Sequence, residues 1–132
     1  MTILTLEQLL EIHALVIQAT GGENGLRDLG RLEAAIATQT QNVFGKELYP
    51  EVIDKAAALI RGIIGDHAFI DGNKRTAMLA GLTLLEMNRV KFEAESGEIE
   101  KFAIRVAVER LDVPEIIRWI SVHVSTSSQE LL

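Results

Sequence analysis

Between an Asp71-Gly72-Asn73 turn and Asn88 lies a stretch that is apolar through most of its length, with Ala77, Met78, Leu79, Ala80, Leu82, Leu84 and Leu85. A helix apolar nearly all round has no face to give to water, so Lys74 to Met87 reads as the central helix around which the rest is built. With 132 residues, 48% of them hydrophobic, the chain has material for one domain with one core and too little for two.

The other segments supply helices to surround that centre. Thr5 and Gln8 form a capping box, and Leu6, Leu9, Leu10, Val16 and Ile17 then share one face up to the Gly21-Gly22 stop. A glycine-punctuated loop to Gly30 precedes a short helix from Arg31 to Thr38. Gln39 to Tyr49 lacks a helical period and is expected to hold short extended pieces around Val43-Phe44 and Leu48-Tyr49. Pro50 suits the first turn of a third helix through Val52, Ala56, Leu59, Ile60 and Ile63. After Asn88, Val90-Lys91-Phe92 reads as extended, and Glu98 to Val108 and Pro114 to Val124 as two last helices, the second capped by Asp112. The expected architecture is all-α: one domain over residues 1–124, about six helices with at most a small β-hairpin flap, and a polar tail over 125–132 that frays.

Composition narrows function. A net charge of -6 offers no basic face for nucleic acid, and the absence of cysteine excludes disulfides and thiolate metal sites. No secretory leader and no stretch of membrane-spanning length is apparent, so the chain reads as cytoplasmic and soluble, with no membrane partner.

Chemistry concentrates in His67-Ala68-Phe69-Ile70-Asp71-Gly72-Asn73-Lys74-Arg75. Lys74 and Arg75 stand in the first helical turn, where free N–H groups and the backbone dipole already carry partial positive charge. Two cations there repel mildly unless an anion binds between them. Gly72 lets the backbone approach a ligand closely, so the turn, the amides and the two cations together form a phosphate cradle. Asp71 is a carboxylate where Mg²⁺ would use one, and His67 can act as a general base near neutral pH. Each feature alone has an ordinary structural explanation. One phosphoryl-type site accounts for all of them within nine residues.

His67-x-Phe69-x-Asp71-Gly72-Asn73-Lys74-Arg75-Thr76-Ala77 resembles the Doc (death-on-curing) branch of the Fic/Doc family, as do Gly25-x-Arg27-Asp28-x-Gly30 and Leu32-Glu33-Ala34-Ala35. The resemblance implies a helical toxin of a toxin–antitoxin pair. Lys74 and Met78 stand where the usual Fic pattern has Gly and a second Arg. That difference favours phosphoryl transfer from ATP over transfer of AMP. By resemblance, His67 would deprotonate a target Thr or Ser, Asp71 would organise the metal, and Asn73, Lys74 and Arg75 would hold phosphates. Elongation factor Tu is the implied substrate, and a Phd-like antitoxin that blocks the site with a helical segment is the implied partner. Ser96 to Glu100 has the spacing of an internal inhibitory motif but is followed by Lys101, which points to control by a separate protein.

The remaining residues of note read as structural. His13 falls on the apolar face of the first helix as a hydrogen-bonded core histidine, and Trp119 is core. His123 reads as a surface or capping residue, Arg27 and Asp28 as a loop-stapling ion pair, and Asp66 as a neighbour able to tune His67. Two other functions compete with phosphotransfer: nucleotidyl transfer through the same loop, and a silent binding domain.

Overall fold

The computed structural model describes residues 1–125, and all structural statements below concern those residues. Six helices, α1 (Leu6–Thr20), α2 (Leu29–Ala37), α3 (Val52–Asp66), α4 (Asn73–Met87), α5 (Glu98–Glu109) and α6 (Val113–Ser121), make an all-α domain. Four two-residue strands, β1 (Asn42–Val43), β2 (Lys46–Glu47), β3 (Lys91–Phe92) and β4 (Val124–Ser125), form two small antiparallel pairs, β1 with β2 and β3 with β4.

Local chemistry sets the helix ends. The Thr5 hydroxyl accepts from Gln8 N at 3.1 Å while the Gln8 side chain accepts from Thr5 N at 2.9 Å, so two otherwise orphaned donors are satisfied at the start of α1. Asp112 and Glu115 do the same for α6, with Pro114 in its first turn. Asp28 caps α2 from Arg31 N, which moves its start to Leu29, ahead of the expected Arg31. Pro50 lies outside α3, one residue before the Glu51 cap, and so does not occupy the helical turn expected of it.

The core is centred on the pairing of α4 with α3, each helix packing most extensively on the other. A methyl group on Gly81 would fall 2.6 Å from Ile60 Cδ1, so the missing side chain is what lets the two backbones approach. Ala77, Met78, Ala80, Leu84 and Leu85 are buried in α4, but Leu79 is 41% exposed. The helix is therefore central on one side only, and Leu79 faces an open apolar groove beside Leu15. In α1 the buried face is Leu9, Ile12, His13, Val16 and Ile17, with Leu10 turned outward.

The sheet pairs depart from expectation in two ways. Phe44 and Gly45 both take positive φ, 51° and 81°, the backbone of a tight two-residue hairpin turn. Phe44 is thus drawn into the turn rather than a strand, and the paired residues are Asn42–Val43 and Lys46–Glu47. At the other end α6 stops at Ser121, and Val124–Ser125 pairs with Lys91–Phe92. Ser125 is thereby part of the fold, and the rest of the expected tail, 126–132, lies outside the described residues. Of the two roles expected of it, surface or capping, His123 takes the capping one, on a carbonyl at the end of α6. Its Nδ1 lies 2.7 Å from Trp119 O and its Nε2 2.8 Å from Glu98 Oε2, and Trp119 is itself half-buried and stacked on Phe102.

Candidate active site at the start of α4

The loop from His67 to Gly72 joins the two central helices, and its conformation is fixed from both sides. His67 ends α3 in the left-handed region at φ 49°, and Gly72 caps α4 at φ 79°. A side chain at Gly72 would be strained by that φ, and its Cβ would come 3.2 Å from Ile17 Cδ1. Between these points Ala68 and Phe69 are buried, while His67, Ile70 and Asp71 are exposed.

Three sets of contacts hold the loop. Asn73 bridges it internally: its Oδ1 accepts from Phe69 N at 3.0 Å and its Nδ2 donates to Phe69 O at 2.9 Å. From below, His13 stacks on the Phe69 ring at 3.7 Å between centroids, and its Nε2 donates to Asp71 O at 2.8 Å. From the side, the Gly25–Asp28 segment lies against the loop as a short bridge. Arg27 N and Asp28 N donate to Ala68 O at 2.8 and 3.1 Å, and Ile70 N donates to Gly25 O at 3.0 Å. Arg27 and Asp28 therefore act through their backbone. The Asp28 carboxylate pairs with Arg31 at 3.4 Å, so the expected pair between Arg27 and Asp28 does not form. Arg31 Nη1 in turn donates to Asp66 O.

What remains unengaged is the material of an anion site. The first intrahelical bond of α4 is Thr76 N to Gly72 O, so the N–H groups of Asn73, Lys74 and Arg75 have no helical acceptor. The left-handed Gly72 followed by right-handed Asn73 is the backbone sequence of an anion-binding nest. Lys74 and Arg75 are exposed, with no carboxylate partner among the described residues. The Asp71 Oδ2 accepts from Glu23 N at 2.8 Å, which fixes the carboxylate and leaves Oδ1 without a protein donor. No three His, Asp or Glu side chains cluster among the described residues, so a divalent cation here would rest on Asp71 and draw its other ligands from phosphate oxygens and water, as magnesium does. The sequence-predicted residues thus fall on one exposed loop and helix start, with one change of role. The Asn73 amide is committed to Phe69, and what Asn73 has left for an anion is its backbone N–H.

The Fic/DOC family model matches residues 3–85, a stretch that contains every contact just described. The chain belongs to the Fic/DOC family. Over 77 residues it is 47% identical to the toxin Doc of Mycolicibacterium smegmatis, covering 58% of this chain and 59% of that protein. It is also 29% identical over 110 residues to the protein kinase doc of Escherichia phage P1, covering 83% of this chain and 86% of that one. The chain thus spans less than two thirds of the Mycolicibacterium relative in the matched region and most of the phage one.

Sequence reasoning found the Fic/DOC loop because its residues are contiguous. It did not find that His13 supports Asp71, nor that Arg61 and Arg110 line a groove opening at His67. The signal available for His13 was a polar ring on an otherwise apolar helix face.

Proposed function

We propose that this Fic/DOC chain is a Doc-type toxin that phosphorylates a protein hydroxyl with ATP as donor. What carries the reading is the join at the start of α4: free amides and two unpaired cations lie within a few residues of an exposed imidazole, on a loop held by Asn73, His13 and the Gly25–Asp28 segment. Phosphoryl transfer asks a protein mainly for positioning and charge neutralisation, and a small site can supply both.

In this mechanism the amides of Asn73, Lys74 and Arg75 and the two cationic side chains bind the triphosphate, with Asp71 available to a magnesium ion carried by it. His67 accepts the proton of a Ser or Thr hydroxyl as the hydroxyl oxygen forms its bond to the γ-phosphorus. The bond from that phosphorus to the β,γ-bridging oxygen breaks, and ADP leaves with the electron pair. Lys74 and Met78 occupy the positions at which AMP-transferring Fic enzymes have Gly and a second Arg, which favours phosphate over AMP as the transferred group. The phage relative is named a protein kinase, in keeping with this choice.

Elongation factor Tu is the proposed substrate, met by strand addition at the exposed β1–β2 hairpin. A Phd-like antitoxin is the proposed partner. The apolar groove of Leu15, Val16, Met78, Leu79 and Ile99, with Arg75 at its edge, suits one face of an inhibitory helix.

Incubation of the purified protein with ATP, Mg²⁺ and elongation factor Tu, followed by intact-mass measurement, tests the proposal. A gain of one phosphate is expected and a gain of one AMP would replace the reaction with nucleotidyl transfer. No gain, with His67→Asn indistinguishable from the parent in every assay, would leave a binding domain.

A further inference from the structure

His67 is exposed toward a groove that is not part of the phosphate cradle. The groove has a volume of about 420 Å³, is walled by Ile64 of α3 and Val106 of α5, and is flanked by Arg61 and Arg110. His67 is the one residue of the 67–75 segment that lines it, and none of Gly72, Asn73, Lys74 or Arg75 does. Two compartments therefore meet at the imidazole.

We propose that this groove is the acceptor subsite and that it selects a target segment with an acidic residue beside the modified hydroxyl. The inference rests on the phosphotransfer reading for the identity of the cradle. A base in a transfer reaction must touch the acceptor, and with the phosphates held by the α4 start the groove is the side of His67 left for the incoming chain. Its charge says what that chain carries. In a protein of net charge -6, two guanidinium groups stand at one small opening. Arg110 is exposed and has no side-chain partner among the described residues. Arg61 pairs loosely with Asp112 through its enclosed Nε, at 3.7 Å, while its side chain is 42% exposed and its Nη groups have no acceptor among the described residues, so the outer edge of the guanidinium is open to a second carboxylate. Room for that guanidinium comes from Gly65, where a Cβ would lie 2.8 Å from Arg61 Nη1.

A guanidinium fork with unfilled donors matches a carboxylate in two parallel hydrogen bonds, and Ile64 and Val106 accept the methylene stem of a Glu or Asp. Arg61 and Ile64 fall inside the stretch matched by the family model, whereas Val106 and Arg110 fall beyond it, so the selectivity is shared between the matched stretch and the part of the chain outside it.

The test is a binding selection without nucleotide: a library of Thr-centred peptides, randomised on both sides of the Thr, is captured by the full chain and the bound fraction sequenced. Acidic flanking residues are expected to be enriched roughly tenfold over Gln and Asn, the worth of one charge-assisted pair. Arg110→Gln should bring that ratio near parity, and Arg61→Lys, which keeps charge but loses the fork, should reduce it. Arg105→Gln, outside the groove on the same helix, should leave it unchanged. Melting curves identify any variant that has lost its fold. No acidic enrichment, or enrichment indifferent to Arg61 and Arg110, overturns the proposal. Addition of ATP and Mg²⁺ separates the two readings. Selected peptides that bind without gaining phosphate would sink the transfer reaction and keep the groove, whereas phosphorylation indifferent to neighbouring charge would do the reverse.

Discussion

Asn73 is the residue on which the loop geometry turns, because its amide occupies both the N–H and the C=O of Phe69. Truncation to Ala leaves those two backbone groups without partners on a half-buried loop, a cost of about 1–3 kcal/mol. Asn73→Ala should therefore melt several degrees below the parent and lose transfer activity, since the His67 imidazole is no longer fixed relative to the α4 amides. An unchanged melting temperature together with full activity would show that the bridge does not hold the loop. His67→Asn is the complementary variant. Asn tolerates the left-handed φ of 49°, so the fold should persist while transfer falls by about 10²–10⁴-fold, the usual worth of a general base. Retention of full turnover in that variant would remove His67 from the chemistry. At this scale the sequence was readable where residues are neighbours in the chain, and silent where they meet through the fold. The place of His13 on an apolar helix face announces a buried hydrogen bond, but its partner, Asp71, lies 58 residues away and no local pattern names it.

At the scale of elements, the helices were legible because periodicity and caps act locally, and the failures are those of pairing. The partner of β3 is a strand, β4, thirty-odd residues away in a segment whose apolar spacing continued the last helix. The β1–β2 hairpin was expected, but its register depended on a Phe accepting positive φ, which side-chain preference argues against. What keeps that hairpin against the body is Lys55. Its side chain is 4% exposed, and its Nζ donates to Gln39 O and, at 2.9 Å, to Glu47 Oε1. Gln39 is fully buried and holds Leu4 through both ends of its amide, so one lysine ties α3, the hairpin and the N-terminal segment together. Lys55→Met keeps the apolar stem and removes the donor. Amide hydrogens of 40–48 should then exchange roughly tenfold faster or more while those of α4 stay protected, because only the hairpin's tether is lost. Uniform loss of protection across the molecule would place Lys55 in global stability, and unchanged exchange would deny it the tether.

For the whole molecule, closure of the far end depends on an ion pair that titrates. His123 has a carbonyl on Nδ1 and a carboxylate on Nε2, two acceptors that are both satisfied only when the ring carries both protons. Its pKa is accordingly raised above the ordinary 6.5, first by the Trp119 carbonyl and then by Glu98, while the bond from His123 holds Glu98 below its ordinary 4.5. A raised folded pKa for a base means that the stabilisation is complete below the unfolded value and fades as pH climbs through the folded one. For Glu98 the contribution is present above the unfolded carboxylate pKa and fades as pH falls through its lower folded value. The two windows overlap between the ordinary carboxylate and imidazole values, and there the pair should contribute most. Because it pins the β3–β4 pair and the end of α6, whose Trp119 stacks on Phe102, to α5, its loss should lower the cooperative melting of the domain rather than fray one end. Thermal melting of the parent and of His123→Gln from pH 5 to pH 8.5 measures this directly. The difference between them should be largest near pH 5.5 and shrink steadily above neutrality, as the parent gives up the proton that the variant never held. A constant difference across that range would mean that the ring acts by packing against Phe92 and Trp119 and that its charge contributes nothing.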